Sequence, residues 1–355
     1  MFDPILPVAP ASICILRLSA LGDAMHVLPL LNTLRSAWPA TQITWVLGKG
    51  EAKLMEGLEG VELVVYDKKT GLGGMRELRK HFSGRRFDVL LQMQLAIRAN
   101  VLSAFIPAKI RVGYDAGRSK ELHSLFINRR ITAGSHHVLD VFGKFCEPLG
   151  LKQGEVRWPV PMTQEARDWA AEQLPGEQKT LVISPCSSHE LRNWSAEAYA
   201  AIAKHAHMKN WRVVICGGRS ELERNTADAI IRLANIPVID LVGKDTLKQL
   251  LALLERADLL LSPDSGPLHM ANALGTKVIG LYACTDAERS GPYSDRRYTV
   301  NHYRQAALQF MKRPADELPW GKRIEFRGVM DLIKTEEVIE CFDRYCIDYA
   351  NQGVR

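Results

Sequence analysis

The stretch SPDSGPLHMANALG, residues 262–275, sets Asp264, Ser265, Gly266, Pro267 and His269 between the strand-like run 257–261 and an apolar helical pattern. The first turn of a helix offers unpaired N–H groups and partial positive charge. Gly266 lets a ligand approach the backbone, Pro267 suits the first helical turn, and His269 falls near the same terminus. That is chemistry for a phosphate or diphosphate, each hydrogen bond to a charged acceptor being worth about 1.5–3 kcal/mol. Asp264 or Ser265 capping the helix is the plainer alternative.

Three other stretches carry similar residue types. SPCSSHELRNW (184–194) brings small hydroxyl residues, then Arg192, whose guanidinium can fork onto phosphate oxygens or pair with a neighbour such as Glu190. GGRSELERN (217–225) offers glycines for close approach and Glu221 or Glu223 to accept from ribose hydroxyls; both glutamates would equally complement a helix dipole. RLSALGDAMHVLP (17–29) places Asp23 at a helix start, as an N-cap or as a general base worth about 10²–10⁴ in rate. His26, one turn on, would orient Asp23 or pack.

The elements around these stretches alternate. Strand-like runs at 12–18, 43–47, 61–66, 87–93 and 109–114 are separated by helical patterns at 24–38, 74–82 and 96–105, and a further helix is expected at 136–149. A proline-containing, aperiodic segment, 151–164, reads as a linker. The rhythm then resumes with strands at 180–185, 212–218, 238–243, 257–263 and 277–282. Helices are expected at 196–208, 221–233, 247–256, 267–274 and 335–345. Two doubly wound α/β domains in tandem follow, and ligands in such folds bind where strand ends enter helices. All four stretches sit at such ends.

Composition narrows the classes. The 355 residues, 46% hydrophobic and 24% charged, suit an ordinary folded protein with room for two cores. Seven scattered cysteines suggest a reducing compartment, no apolar run approaches membrane-spanning length, and the first twelve residues lack a basic signal-peptide region. Residues 1–160 hold 21 Lys+Arg against 14 Asp+Glu, so the basic excess belongs to the front half, suiting an anionic partner or a solvated basic face. No DxD, HExxH, paired CxxC, GxSxG, GxGxxG or Walker A sequence occurs.

In order along 12–293, the chain resembles the bacterial lipopolysaccharide heptosyltransferases of glycosyltransferase family nine, those adding the first heptose in particular. The likeness is carried by LSALGDAMHVLPLLNTLR, GYDAGRSKELHSLFINRRI, SPCSSHELRNWSAEAYA, GGRSELE and DSGPLHMANALGTKVIGLYACTD. The resemblance implies a GT-B architecture: an acceptor-binding Rossmann-like domain (1–155), a donor-binding one (156–330) across a cleft, and a C-terminal helix (331–355) packing back on the first domain. It implies an inverting transferase that needs no metal or cofactor, with ADP-heptose as donor substrate and Kdo-containing lipid A as acceptor. Nucleic acid is not an expected partner. The enzyme would be cytoplasmic and in peripheral contact with an anionic inner-membrane surface. Carried over by position, Asp23 is the general base, and Arg192, Glu221, Asp264, Ser265, Gly266, Leu268 and His269 hold the donor. Arg118 and Lys120 fall in a mobile acceptor-side segment. A later core heptose, another sugar, or a GT-B sugar-nucleotide epimerase are the alternative readings. The family's usual Gly-Pro-Thr-Asp-Pro is Ala283–Cys284–Thr285–Asp286–Ala287 here, and 298–328 has no counterpart in the pattern.

Overall fold

A computed structural model describes residues 8–350; residues 1–7, on which much of the signal-peptide reading rests, and 351–355 lie outside the described chain. The chain divides into two compact units, 1–161 and 162–355. The division falls within the expected linker, 151–164.

In the first unit the order is β1 (Ser12–Leu16), α1 (Leu21–Ala37), β2 (Gln42–Gly48), α2 (Lys49–Met55), β3 (Val61–Tyr66), α3 (Leu72–His81), β4 (Phe87–Gln92), α4 (Ile97–Ser103), β5 (Ala108–Gly113), β6 (Arg129–Arg130) and α5 (Val138–Gly143). The strands form one parallel sheet in the order β3-β2-β1-β4-β5-β6. Ile13, Cys14, Ile15 and Leu16 of the central β1 are all fully buried, as expected of a strand covered on both faces.

In the second unit follow α6 (Gln164–Gln173), β7 (Thr180–Ile183), α7 (Ala196–Met208), β8 (Arg212–Ile215), α8 (Glu221–Ala234), β9 (Ile239–Asp240), α9 (Leu247–Arg256), β10 (Leu259–Pro263), α10 (Gly266–Leu274), β11 (Lys277–Tyr282), α11 (Ala287–Ser290), β12 (Thr299–Asn301), α12 (Tyr303–Ala306) and α13 (Thr335–Ala350). Its sheet runs β12-β11-β10-β7-β8-β9, all parallel. Counted from its own first strand, that order is the same 3-2-1-4-5-6 as in the first unit. Each sheet therefore reverses its winding once, between β1 and β4 in the first unit and between β7 and β10 in the second, and the crevice at that reversal is where such folds take ligands.

Local signals set the helix ends that matter here. Ser220 and Glu223 form a reciprocal cap at the start of α8, the Glu223 N–H donating to Ser220 Oγ (3.3 Å) and the Ser220 N–H to Glu223 Oε2 (3.4 Å). Pro267 lies in the first turn of α10, and Gly275, at φ 86°, ends that helix.

Helix α13 packs within the core of the second unit. Val338, Cys341, Phe342 and Tyr345, spaced to share one helix face, are buried in the second unit's core. Phe342 and Tyr345 meet Trp211 edge-on at 5.1 and 5.8 Å, and His205 Nε2 lies 2.7 Å from Asp343 Oδ1.

Candidate active site

At the reversal point of the second sheet, the loops after β7 and β10 bring together the residues singled out at 184–194 and 262–275. Asp264 leaves β10 and turns its carboxylate onto His269 Nε2 (3.2 Å), while Ser290 Oγ of α11 donates to its other oxygen (3.0 Å). Burial alone would raise the Asp264 carboxyl. The bonds from His269 and Thr285 and the charges of His269 and Arg289 outweigh it, holding the group below the usual carboxylate range. Neither Asp264 nor Ser265 caps α10: Ser265 sits at the cap position without a side-chain cap bond, its Oγ lying 2.8 Å from Ser262 Oγ. Gly266 opens the helix. The Leu268 side chain is fully buried, so only its backbone faces the helix terminus chemically. The Ser265 side chain thus does not close the first turn.

Arg192, in a short 3-10 turn after β7, does not pair with Glu190. Its Nε lies 3.2 Å from Glu325 Oε1, and its Nη2 donates to Ser188 Oγ (3.0 Å). Burial, then the nearby positive charge of Arg323, lowers its affinity for a proton, while Glu325 and Asp264 oppose that shift. Arg192, Arg323, Arg289 and His269 therefore surround two carboxylates, a setting whose positive charge suits an anion. Arg289 is held over the Trp320 ring at 4.4 Å. Glu325, Arg323 and Trp320 come from the segment that matched no pattern, so that segment contributes to this basin.

The altered loop 283–287 also has a place. Cys284 is buried, its Sγ donates to the Leu191 carbonyl (3.0 Å), and its own carbonyl accepts from the Ile324 N–H (2.8 Å). It ties the β11 loop to the turn that carries Arg192. Burial pushes its thiol up to about 12. At the neighbouring strand end, Glu223 is taken by capping and by the Gly218 N–H (2.6 Å), whereas Glu221 is exposed at the first position of α8.

At the reversal point of the first sheet, Asp23 is the third residue of α1. It accepts from the Ala20 N–H (3.2 Å) and pairs with Arg17 Nη2. It is a cap and an ion-pair partner together, with about a quarter of its side chain exposed, while Arg17 is 12% exposed. Arg17 Nη1 donates to the Met93 carbonyl, and the guanidinium lies over Phe142 at 5.3 Å. Burial works against the Arg17 charge, but the Asp23 carboxylate, with Tyr114 and Glu51, more than restores it. Gln94, from the loop after β4, accepts from the Leu18 N–H (2.7 Å) and donates to Ser19 Oγ (3.2 Å). Arg17 and Gln94 were not foreseen as site residues. The buried His26 ring packs edge-on against His137 (5.9 Å) and Phe142 (6.5 Å).

Arg118 and Lys120 differ in setting. Arg118 is buried, its guanidinium committed to Asp115 and to the Ser135 carbonyl, while Lys120 is exposed. Arg118 braces its loop through Asp115 three residues earlier, while the Lys120 side chain faces solvent. Among the described residues no cluster of three or more His, Cys, Asp or Glu side chains has metal-holding geometry.

Residues 75–318 match the family model for glycosyltransferase family 9 (heptosyltransferase), reaching well into the segment without an expected counterpart. The chain is 40% identical, over 95% of its length and 97% of the relative's, to the lipopolysaccharide core heptosyltransferase OpsX of Haemophilus influenzae. Its fold is similar to that of a glycosyl transferase family 9 protein from Veillonella parvula (TM-score 0.78, 22% identity, 95% and 97% of the two chains). It is likewise similar to E. coli heptosyltransferase WaaC with ADP (TM-score 0.68, 20% identity, 82% and 93%). With two parallel sheets of the same winding, an anion-suited basin at one reversal point and a carboxylate at the other, the chain belongs to glycosyltransferase family 9, the heptosyltransferases.

Proposed function

We propose that this heptosyltransferase of lipopolysaccharide synthesis takes heptose from ADP-L-glycero-D-manno-heptose and places it on Kdo of the inner core, inverting at the anomeric carbon. It does so without a bound metal or cofactor. The observation that carries the reading is the basin at the end of β10, where Asp264 and His269 lie at an uncapped helix start beside Arg192 and Arg289. Asp23 takes the proton from the acceptor hydroxyl, and that oxygen forms its bond to the anomeric carbon. The bond from that carbon to the diphosphate oxygen breaks, and its electron pair leaves with ADP.

Charge growing on the leaving diphosphate falls to the backbone N–H groups of Ser265, Gly266 and Leu268, and to His269 and Arg192. Such preplaced donors are worth about 10²–10³ in rate apiece. Glu221, exposed at the start of α8, accepts from ribose, and Asp264 accepts from a heptose hydroxyl. Lys120 is the acceptor-side cation. The enzyme works on the cytoplasmic face of the membrane that carries its acceptor.

The test is ADP release from the heptose donor with deacylated Kdo-lipid A, with an acceptor already bearing one heptose, and with none. Release only with the heptose-free acceptor supports the reading. Release only with the heptosylated acceptor makes it a later transferase, and donor conversion without acceptor makes it an epimerase.

A further inference from the structure

Arg289 is a cation of the basin that the fold itself does not neutralise. It stands in α11, one residue before the Ser290 whose Oγ donates to Asp264, and its charge is felt at the Asp264 carboxylate. The acids around it are engaged elsewhere: Asp264 by His269 (3.2 Å), Glu325 by Arg192 (3.2 Å) and Glu288 by Arg296 (3.3 Å). Among the described residues no carboxylate pairs with Arg289, and its buried Nε meets no acceptor. A half-buried guanidinium in that state has lost part of its hydration with no anion of the fold to replace it.

What holds the side chain is an aromatic face. The Arg289 guanidinium carbon lies 4.4 Å from the Trp320 ring centroid, a contact that orients the group without consuming its N–H donors. Gly321, at φ 76°, keeps the approach open, since a Cβ there would come 3.1 Å from Nε. The same segment is fixed on the basin by the Ile324 N–H, which donates to the Cys284 carbonyl (2.8 Å), and by the Tyr303 hydroxyl, which donates to the Lys322 carbonyl (2.9 Å). Residues 320–325, beyond the 75–318 that match the family, thus place Arg289 through a ring and Arg192 through a carboxylate.

We propose that Arg289, positioned by Trp320, binds the donor phosphate that carries the sugar and meets the charge that develops there as the bond from the anomeric carbon breaks. The choice of phosphate rests on the reading in which Asp264 meets the heptose: a cation beside Ser290 and felt at Asp264 stands on the sugar side of the diphosphate. An arginine can fork onto two phosphate oxygens, which the compact ammonium of a lysine cannot do.

The experiment is calorimetry of the full chain with ADP, AMP and inorganic diphosphate. Arg289→Gln should weaken ADP and inorganic diphosphate about 10–100-fold, the worth of its hydrogen bonds to a charged acceptor, and AMP by less than about three-fold. Arg289→Lys should recover part of the loss and supplies the same contrast where the glutamine variant melts early. Trp320→Leu, which keeps the cation but not its placement, should weaken ADP about 3–10-fold and leave AMP nearly unchanged. With the heptose donor, Arg289→Gln should lower kcat as well as raise KM, a split that a purely structural residue would not give. Unchanged ADP affinity in Arg289→Gln, or equal losses with ADP and AMP, overturns the proposal; unchanged ADP affinity in Trp320→Leu overturns the positioning role. A wild-type chain that binds inorganic diphosphate through Arg289 but releases no ADP from the heptose donor would uphold the phosphate site and fail the donor reading, and transfer indifferent to Arg289→Gln would do the reverse. A wild-type chain that binds neither ADP nor inorganic diphosphate overturns both.

Discussion

Replacing Asp23 separates catalysis from bracing, provided two substitutions are compared. Asp23→Ala removes the anion beside Arg17, whose side chain is only 12% exposed. Breaking a fully buried pair from one side costs about 3–5 kcal/mol, since the remaining charge is stranded. Here Asp23 is 26% exposed, and Arg17 keeps its bond to the Met93 carbonyl and its place over Phe142. Water and those partners absorb part of the penalty, so a loss of about 2 kcal/mol is expected. Asp23→Asn keeps an oxygen to accept from the Ala20 N–H and from Arg17. Its cost should be about 1 kcal/mol, the usual scale of a weakened hydrogen bond.

Turnover should not follow that order. An amide takes up no proton, so both variants lose the general base and slow by about 10²–10⁴, or roughly 3–5 kcal/mol in the barrier. The assay pairs urea unfolding with single-turnover ADP release at saturating donor and acceptor, below the temperature at which either variant begins to unfold. The expected pattern is unequal stability with equal, low turnover. Wild-type turnover by Asp23→Asn, or turnover that tracks stability across both variants, would refute the base assignment and leave Asp23 as the brace of Arg17.

Other outcomes follow from the same contacts. Asp264→Asn preserves shape but removes the charge that a heptose hydroxyl would meet; affinity for ADP-heptose should fall about 10–100-fold while affinity for ADP itself changes little, a contrast calorimetry reads directly. Because the Asp264 carboxyl titrates below its ordinary value, its contribution to stability is complete above the unfolded value of 3.8. That contribution is lost only as pH falls through the lower folded value, so this group should give no pH dependence between about 5 and 8. His123 is the opposite case. Its Nε2 accepts from the Tyr114 N–H (3.1 Å), its Nδ1 meets Asn100 Oδ1 (2.8 Å), and burial, then Arg130, lowers it from 6.5 to about 4. The unfolded chain therefore binds the extra proton first, and stability should drop by about 2–3 kcal/mol as pH falls from 6.5 toward 4. Urea midpoints for wild type and His123→Gln should diverge above pH 6 and converge toward pH 4; parallel curves would show that His123 does not titrate this way. Gly113→Ala would thrust its Cβ to 2.3 Å from His123 Nε2 and 2.5 Å from Ile127 Cγ2, so a loss of about 3 kcal/mol or more is expected. Gly73→Ala meets nothing within 4 Å on helix α3 and should stabilise by up to about 1 kcal/mol, a pair of outcomes that thermal melts can check.

The parallel sheets were legible because strands buried on both faces are written as unbroken apolar runs, as in Leu259–Pro263, buried throughout; the half-buried edge strand Val61–Tyr66 also appears with the bounds read from its residues. Elements whose burial is slight were not legible. Strand β6 is Arg129–Arg130, an exposed edge, and α6 buries little beyond Ala166 and Ala170, so no element was read beyond the linker until 180. Strand β9 is Ile239–Asp240 rather than the expected 238–243, since only those residues stand in register opposite β8. Residue type alone located Asp264 and Arg192, because polar groups at strand-to-helix turns stand out against apolar surroundings. Their partners could not be read from type. Ser290 reaches Asp264 from α11, and Glu325 reaches Arg192 from a segment with no periodic pattern. The case of Arg118 differs, since Asp115 three residues earlier was visible in the sequence and warned that the cation would be neutralised internally. What a sequence withholds is thus mainly the pairing of charges across loops. That pairing decides whether a basic or acidic residue at a strand end is left available to a ligand, as Lys120 is, or is consumed by the fold, as Arg118 and Glu223 are.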